Sequence, residues 1–283
     1  MPGEALAEPN MVKVVDQTQG QGRWNNLGRE QLAAIRDAPE CFQIQALFMP
    51  SERLVHEALV ARLGPIKGLR VLELGCGWGA FTVYLAKQGA VVTGLDIGEE
   101  LVAAGRLLAE VNHVECEFVQ GDARSLQFAS GAFDIVVAVA TFHHLSKPDL
   151  SASLREAHRV LRPQGVAVAY EPVENSRTFS LLQNLFPKGR EGDFEYRPSI
   201  LQRTAYRRYL TALDDRDLTF RELRGAGSAF RQIELHPDGL FIRLAAILPG
   251  GCRSTLRSVD TMLLKNLPPL GYLSQAVLVE YLK

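Results

Sequence analysis

The sequence predicts an α/β fold built on a doubly wound parallel sheet of seven strands with helices on both faces. Three observations predict it. Val71-Leu-Glu-Leu-Gly-Cys-Gly-Trp-Gly79 couples a short buried strand to a glycine turn. Val91–Leu95 is a second apolar run closed by Asp96, twenty-one residues beyond Gly75. Strand-like and helix-like segments then alternate through Glu171. Strand, glycine turn, helix, strand and acid in that order make a nucleoside-binding βαβ unit, and such alternation implies a sheet covered on both faces.

The elements follow in order. Residues 1–30 are polar, rich in Gly, Gln and Asn, and read as a mobile arm. Residues 1–50 as a whole form an arm with cap helices, two short apolar-periodic pieces lying within Leu32–Phe48, ahead of a main domain at 51–283. Pro50-Ser51 opens a helix to about Leu63, with Ser51 as N-cap and Leu54, Val55, Ala58 and Leu59 on one face. After the glycine turn a helix sets Phe81, Tyr84 and Leu85 against the sheet and stops at Gly89. Another runs from about Glu99 to Glu110. Phe118–Asp122 reads as a third strand ending in an acid, and Phe133–Ala138 as a fourth, followed by Thr141-Phe-His-His-Leu145. Leu154–Gly165 is an amphipathic helix closed by a Pro/Gly turn, and Val166–Glu171 is the fifth strand. Residues 172–213 carry no strand pattern and are too long for a simple loop, so they read as an inserted lid. Leu218–Gly225 looks helical and Phe230–Leu235 is the sixth strand. A helical insertion at about 240–270 precedes the last strand, Ser274–Tyr281.

Composition narrows the function. With 283 residues, 47% of them hydrophobic, the chain can bury a sizeable core. The net charge of −1 supplies no general attraction to nucleic acid or anionic membrane. Four widely spaced cysteines (41, 76, 116, 252) suggest neither a disulfide framework nor a zinc site, and fit reduced thiols in a cytoplasmic protein. No apolar run is long enough to cross a bilayer, and no signal-peptide pattern opens the chain.

The glycine turn fits two templates. Gly75, Gly77 and Ala80 match G-x-G-x-x-A, as in NAD-binding domains; Gly75, Gly77 and Gly79 match G-x-G-x-G, as in enzymes that bind S-adenosylmethionine. Glu73 tips the choice. A carboxylate there repels a pyrophosphate and suits the ammonium group of a bound amino acid.

The glycine turn with Glu73, Asp96, Asp122, the fourth strand with its Phe-His-His-Leu element, and the Arg159-Val-Leu-Arg-Pro-Gln-Gly165 helix end occur together and in order. In this the chain resembles the class I S-adenosylmethionine-dependent methyltransferases of small-molecule type, well over about Leu54–Glu171 and weakly beyond. The resemblance implies a mostly parallel seven-stranded sheet with an antiparallel last strand slotted beside the sixth. It implies S-adenosyl-L-methionine as cofactor, with Glu73, Gly75, Cys76 and Gly77 at its methionine end. Asp96 would then bind the ribose, with Ile97 on the adenine. Asp122 and Ala123 would hold the adenine edge, and Ala140 and Thr141 would lie near the sulfonium.

The sulfonium is already a strong alkylating agent, so the protein has mainly to align a nucleophile and exclude water. A hydroxyl or thiol acceptor also needs a base. His143 and His144 follow the fourth strand, where acceptor and methyl should meet; either could serve, or the pair could only pack. His143 is preferred because Leu145 packs inward and turns His144 away. His56, His113 and His158 read as structural or solvated. Glu171 could touch substrate or cap the turn beside it. No histidines pair with acids at metal-ligand spacing, so no metal is expected. The acceptor pocket is expected in the lid, whose Phe179, Phe186, Phe194, Tyr196, Tyr206 and Tyr209 accompany Arg197, Arg203, Arg207 and Arg208. Trp24 and Trp78 could line it, Trp78 reading rather as packing.

The expected activity is methyl transfer to a small-molecule or lipid-like acceptor, oxygen first. The expected partner is that small molecule; neither nucleic acid nor membrane is expected, and a homo-oligomer stays open. The rival readings are an RNA methyltransferase, a cofactor-binding enzyme of non-methylating chemistry, and a nicotinamide-dependent oxidoreductase. Near-zero charge opposes the first, and Glu73 and Asp122 oppose the last.

Overall fold

The computed structural model describes residues 17–44, 50–176, 216, 218–241 and 250–283. The lid aromatics and arginines named above lie outside these residues.

The chain runs α1 (Gln17–Asp37), α2 (Pro50–Leu63), β1 (Arg70–Leu74), α3 (Ala80–Lys87), β2 (Val91–Asp96), α4 (Glu99–Val111), β3 (Glu117–Gln120) and β4 (Phe133–Val139). It continues through α5 (Lys147–Val160), β5 (Leu161–Pro172), α6 (Phe220–Ala226), β6 (Gln232–Asp238), α7 (Gly250–Asn266) and β7 (Ala276–Leu282). The sheet order is β3-β2-β1-β4-β5-β7-β6. β1 pairs in parallel with both β2 and β4, whereas β7 is antiparallel to β5 and β6. The expected seven-stranded sheet with its antiparallel last strand is therefore present.

Strand alternation sorts the core. On one face Leu72, Leu74, Val136 and Ala138 meet Leu150, Leu154 and Ala157 of α5. On the other, Val71, Val92, Ile135 and Val137 meet Leu59 of α2 and Phe81 and Leu85 of α3. Strand order reverses between β1 and β4, which opens a crevice at their carboxyl ends.

Three boundaries differ from expectation. The described part of the expected arm is helix: α1 lies along α4 and buries Ile35 completely. A Cβ on Gly28 would strike the backbone of Glu100 and Leu101, so this glycine allows the close crossing. α2 starts at Pro50, which places Ser51 inside the first turn instead of at the cap. α5 ends at Val160, because Pro163 cannot donate to a helical turn and forces the residue before it to extend; Leu161 already pairs with Phe133. Among the described residues no helix is long and apolar enough to cross a membrane.

Candidate active site

The carboxyl ends of β1, β2 and β4 converge on the glycine turn. Gly75 and Gly77 both have positive φ, 65° and 54°, which side-chain-bearing residues adopt at a cost. Their surroundings differ. A Cβ on Gly75 would collide with the Thr141 side chain, and one on Gly79 would sit 2.5 Å from the Phe118 ring. A Cβ on Gly77 would meet nothing within 4 Å. Gly75 and Gly79 are thus needed by protein packing, and only Gly77 faces open space.

Two acids lie beneath this turn. Asp96, at the end of β2, is 8% exposed and accepts from the N–H groups of Gly77 (2.8 Å, Oδ2) and Gly98 (2.9 Å, Oδ1). Burial raises its carboxyl above the usual range, against the pull of those N–H groups. Each oxygen keeps a lone pair for a ribose hydroxyl. Glu73 is 3% exposed and turns toward α3, where it accepts from the Thr82 hydroxyl. Its side chain meets α3 through this bond, at the carboxyl end of β1 two residues before the glycine turn. Burial, helped by Asp96 and opposed by Thr82, pushes Glu73 up to about 8. Burial and then Glu73 and Asp96 push the Cys76 thiol well up. Among the described residues neither acid has a Lys, Arg or His partner.

Along the adenosine side Ile97 is half-buried, and its carbonyl accepts from Gln21 (3.4 Å) of α1 and Gln120 (3.3 Å). Asp122 is already engaged. Arg124 donates to both its oxygens at 2.5–2.9 Å and also bridges to Asp149 at 3.1 Å. Burial would raise the Asp122 carboxyl, but the Arg124 bonds hold it below the usual range. The Asp122 carboxylate is thus already engaged by Arg124 two residues on, a pairing that the sequence reading did not include. Ala123 packs against the core beside it.

The turn after β4 is the most tightly organised part. Ala140 takes φ 51° and donates to the Tyr170 carbonyl at 2.9 Å. The Thr141 hydroxyl lies 3.1 Å from the carbonyls of Leu74 and Val139, locking β4 to β1. Glu171, 0% exposed, accepts from the backbone N–H groups of Thr141 (2.8 Å), Phe142 (2.7 Å) and His143 (3.3 Å), and lies within hydrogen-bond distance of His143 Nδ1 (2.9 Å). The His144 ring lies 3.9 Å from that of His143, tilted by 43°, and the Trp24 ring meets His144 edge-on at 5.0 Å. Trp78 instead packs on Phe42.

Sequence reasoning missed Arg216 and Thr82. The Arg216 N–H donates to the His143 carbonyl at 3.0 Å, its Nε to the Leu145 carbonyl, and its Nη1 to Glu222 at 3.0 Å. Val173 and Leu218 pair as an isolated bridge, so the chain leaves β5 and returns beside the histidines. Arg216 reaches Leu145 from 71 positions away, a contact that leaves no local signature. Among the described residues, one grouping has metal-ligand composition, Glu234, His236 and Glu280 on the outer strands, and the Arg62 guanidinium already bridges it.

Comparison with known proteins finds methyltransferases. Residues 71–165 match the family model described as a methyltransferase domain. The chain is 36% identical over 124 residues to an uncharacterized methyltransferase of Synechocystis sp., covering 44% of this chain and 57% of that protein. It is 31% identical over 119 residues to a ubiquinone biosynthesis O-methyltransferase of Azorhizobium caulinodans, covering 42% and 46%. The chain thus spans about half the length of these relatives. The crystal structure of the PH0226 protein from Pyrococcus horikoshii shares the fold, with a TM-score of 0.55, 20% identity and coverage of 88% and 98%.

Proposed function

We propose that this chain, whose residues 71–165 match a methyltransferase domain, is a class I S-adenosylmethionine-dependent methyltransferase that methylates an oxygen of a small-molecule or lipid-like acceptor. The observation that carries the proposal is the pair of buried acids, Glu73 and Asp96, under a glycine turn whose Gly77 faces open space. Two desolvated carboxyls with no cationic partner among the described residues suit a ligand bearing an ammonium and a sulfonium, and ill suit a pyrophosphate.

Asp96 accepts from the ribose hydroxyls while keeping Gly77 and Gly98 in place. Gly75, Cys76 and Gly77 wrap the methionine end. Glu73 acts from behind the turn as a buried counter-charge. Ile97 covers one adenine face, and Asp122 and Ala123 border its edge. Ala140 and Thr141 border the sulfonium. When bound, the cofactor supplies an electrophilic methyl. The protein holds the acceptor in line with it and keeps water out. His143 takes the acceptor hydroxyl's proton, and His144 walls the same space beneath Trp24. Oxygen is favoured because a neutral hydroxyl needs such a base, and because relatives of this chain carry the name O-methyltransferase. The acceptor is a small molecule, not nucleic acid, given the near-neutral charge.

The test is an assay for S-adenosylhomocysteine released from S-adenosylmethionine in the presence of phenolic, catecholic and amine acceptors. Release with hydroxylated acceptors, and its loss in His143→Ala, is the expected result. Release with amines alone, or full activity in His143→Ala, would refute the oxygen reading.

A further inference from the structure

We propose that Glu171 is a positioning residue that fixes the tautomer of His143, holding its proton on Nδ1 and leaving Nε2 as the basic nitrogen. The inference rests on the reading of His143 as the acceptor's base and deepens it.

Glu171 is wholly buried at the carboxyl end of β5. Its Oε1 accepts from the Thr141 and Phe142 N–H groups and its Oε2 from the His143 N–H, while the His143 Nδ1 atom lies 2.9 Å from Oε2. A carboxylate that receives backbone N–H groups on both oxygens acts as an acceptor, so the ring atom facing it must be the donor. That assigns the hydrogen to Nδ1. Nε2 has no hydrogen-bond partner among the described residues.

Capping the turn explains three of the four bonds. It does not explain the fourth, in which the side chain that meets this buried carboxylate is a histidine. A buried charge requires compensation. Here compensation appears when His143 accepts a proton on Nε2, since the imidazolium and the carboxylate then form a hydrogen-bonded ion pair. The ring is held on its other side by His144, itself met by Trp24. Arg216 clasps the same turn from outside, through the His143 and Leu145 carbonyls. The arrangement fixes both the direction of the ring and the identity of its basic atom.

The experiment is a two-bond proton–nitrogen correlation spectrum of nitrogen-15-labelled protein near neutral pH, with His143→Asn identifying the His143 signals among the six histidines. Wild-type protein is expected to show neutral His143 as the Nδ1–H tautomer. In Glu171→Gln the amide oxygen is expected to stay with the Thr141 and Phe142 N–H groups. The amide NH2 then faces Nδ1, which must become an acceptor, and the proton moves to Nε2. Should that variant fail to fold, the wild-type spectrum decides alone. Nε2–H in the wild type, or an unchanged tautomer in folded Glu171→Gln, would overturn the positioning role. Calorimetry with S-adenosylhomocysteine on the same wild-type sample separates the two claims. No binding would overturn the methyltransferase reading. Binding together with an Nε2–H wild type would overturn the positioning role alone.

Discussion

Asp96 Oδ2 accepts the backbone N–H of Gly77 at 2.8 Å, which makes the end of β2 and the glycine turn after β1 one hydrogen-bonded unit. The acid therefore shapes the turn before any ligand arrives, and its loss acts on the empty protein as well as on binding.

Asp96→Ala leaves the Gly77 and Gly98 N–H groups without their acceptor. S-adenosylhomocysteine affinity is expected to fall by about 1.5–3 kcal/mol, and the melting temperature of the ligand-free protein to fall as well. Titration calorimetry and a thermal melt read the two effects, and unchanged affinity would refute the ribose role.

The glycines separate by what they face. Gly75→Ala drives a methyl into Thr141 at positive φ and is expected to destabilise the fold by about 2–4 kcal/mol. Gly77→Ala pays only the left-handed backbone cost of about 1–2 kcal/mol, yet it fills the open side of the turn. It is expected to stay folded and to bind the cofactor roughly tenfold or more weakly, about 1.4 kcal/mol. Equal binding by folded Gly77→Ala and wild type would remove Gly77 from the site.

Glu73 links the turn to pH. Its carboxyl is pushed up to about 8 by burial, so between its ordinary value of 4.5 and about 8 the folded chain keeps a proton that the unfolded chain has released. The folded state binds more protons across that window, and this contribution to stability falls as pH rises. Glu73→Gln, which cannot ionise, is expected to lose less stability between pH 5 and pH 8, with a difference on the order of a few kcal/mol at most. A cationic ligand favours ionised Glu73, so wild-type affinity is expected to rise over the same window and to do so less in the variant. Denaturant melts and calorimetry at pH 5, 6.5 and 8 check both slopes; parallel slopes would refute the buried proton.

α1 crosses α4 at Gly28 and reaches His144 through Trp24. Gly28→Ala is expected to lift α1 from α4, raising amide exchange in α1 by roughly tenfold or more, while protection in β1, β4 and β5 persists. Unchanged exchange in α1 would show that the crossing does not depend on this glycine.

The fold was largely legible because each of its signals is local. Buried runs give β1, β2 and β4, the spacing of Phe81, Tyr84 and Leu85 gives α3, and Asp96 stands where the βαβ pattern puts it. What escaped depends on contacts between distant segments. The reason for Gly75 and Gly79 lies in Thr141 and Phe118, far along the chain. The Thr82 hydroxyl that meets Glu73 is not announced by the glycine-turn pattern, since it appears only when α3 packs on β1. Glu171 stood between two readings, and its cap over residues 141–143 appears only when β4 and β5 lie side by side. Residues 17–30, the described part of the polar stretch at 1–30, read as an arm because their docking surface on α4 lies elsewhere in the sequence.

The central claim is that the crevice takes an adenosyl amino acid and not a dinucleotide. Parallel calorimetric titrations of the wild-type protein with S-adenosylhomocysteine and with NADH test it most directly. One equivalent of S-adenosylhomocysteine bound, with no heat from NADH, is the expected result; saturable NADH binding without S-adenosylhomocysteine binding would contradict it.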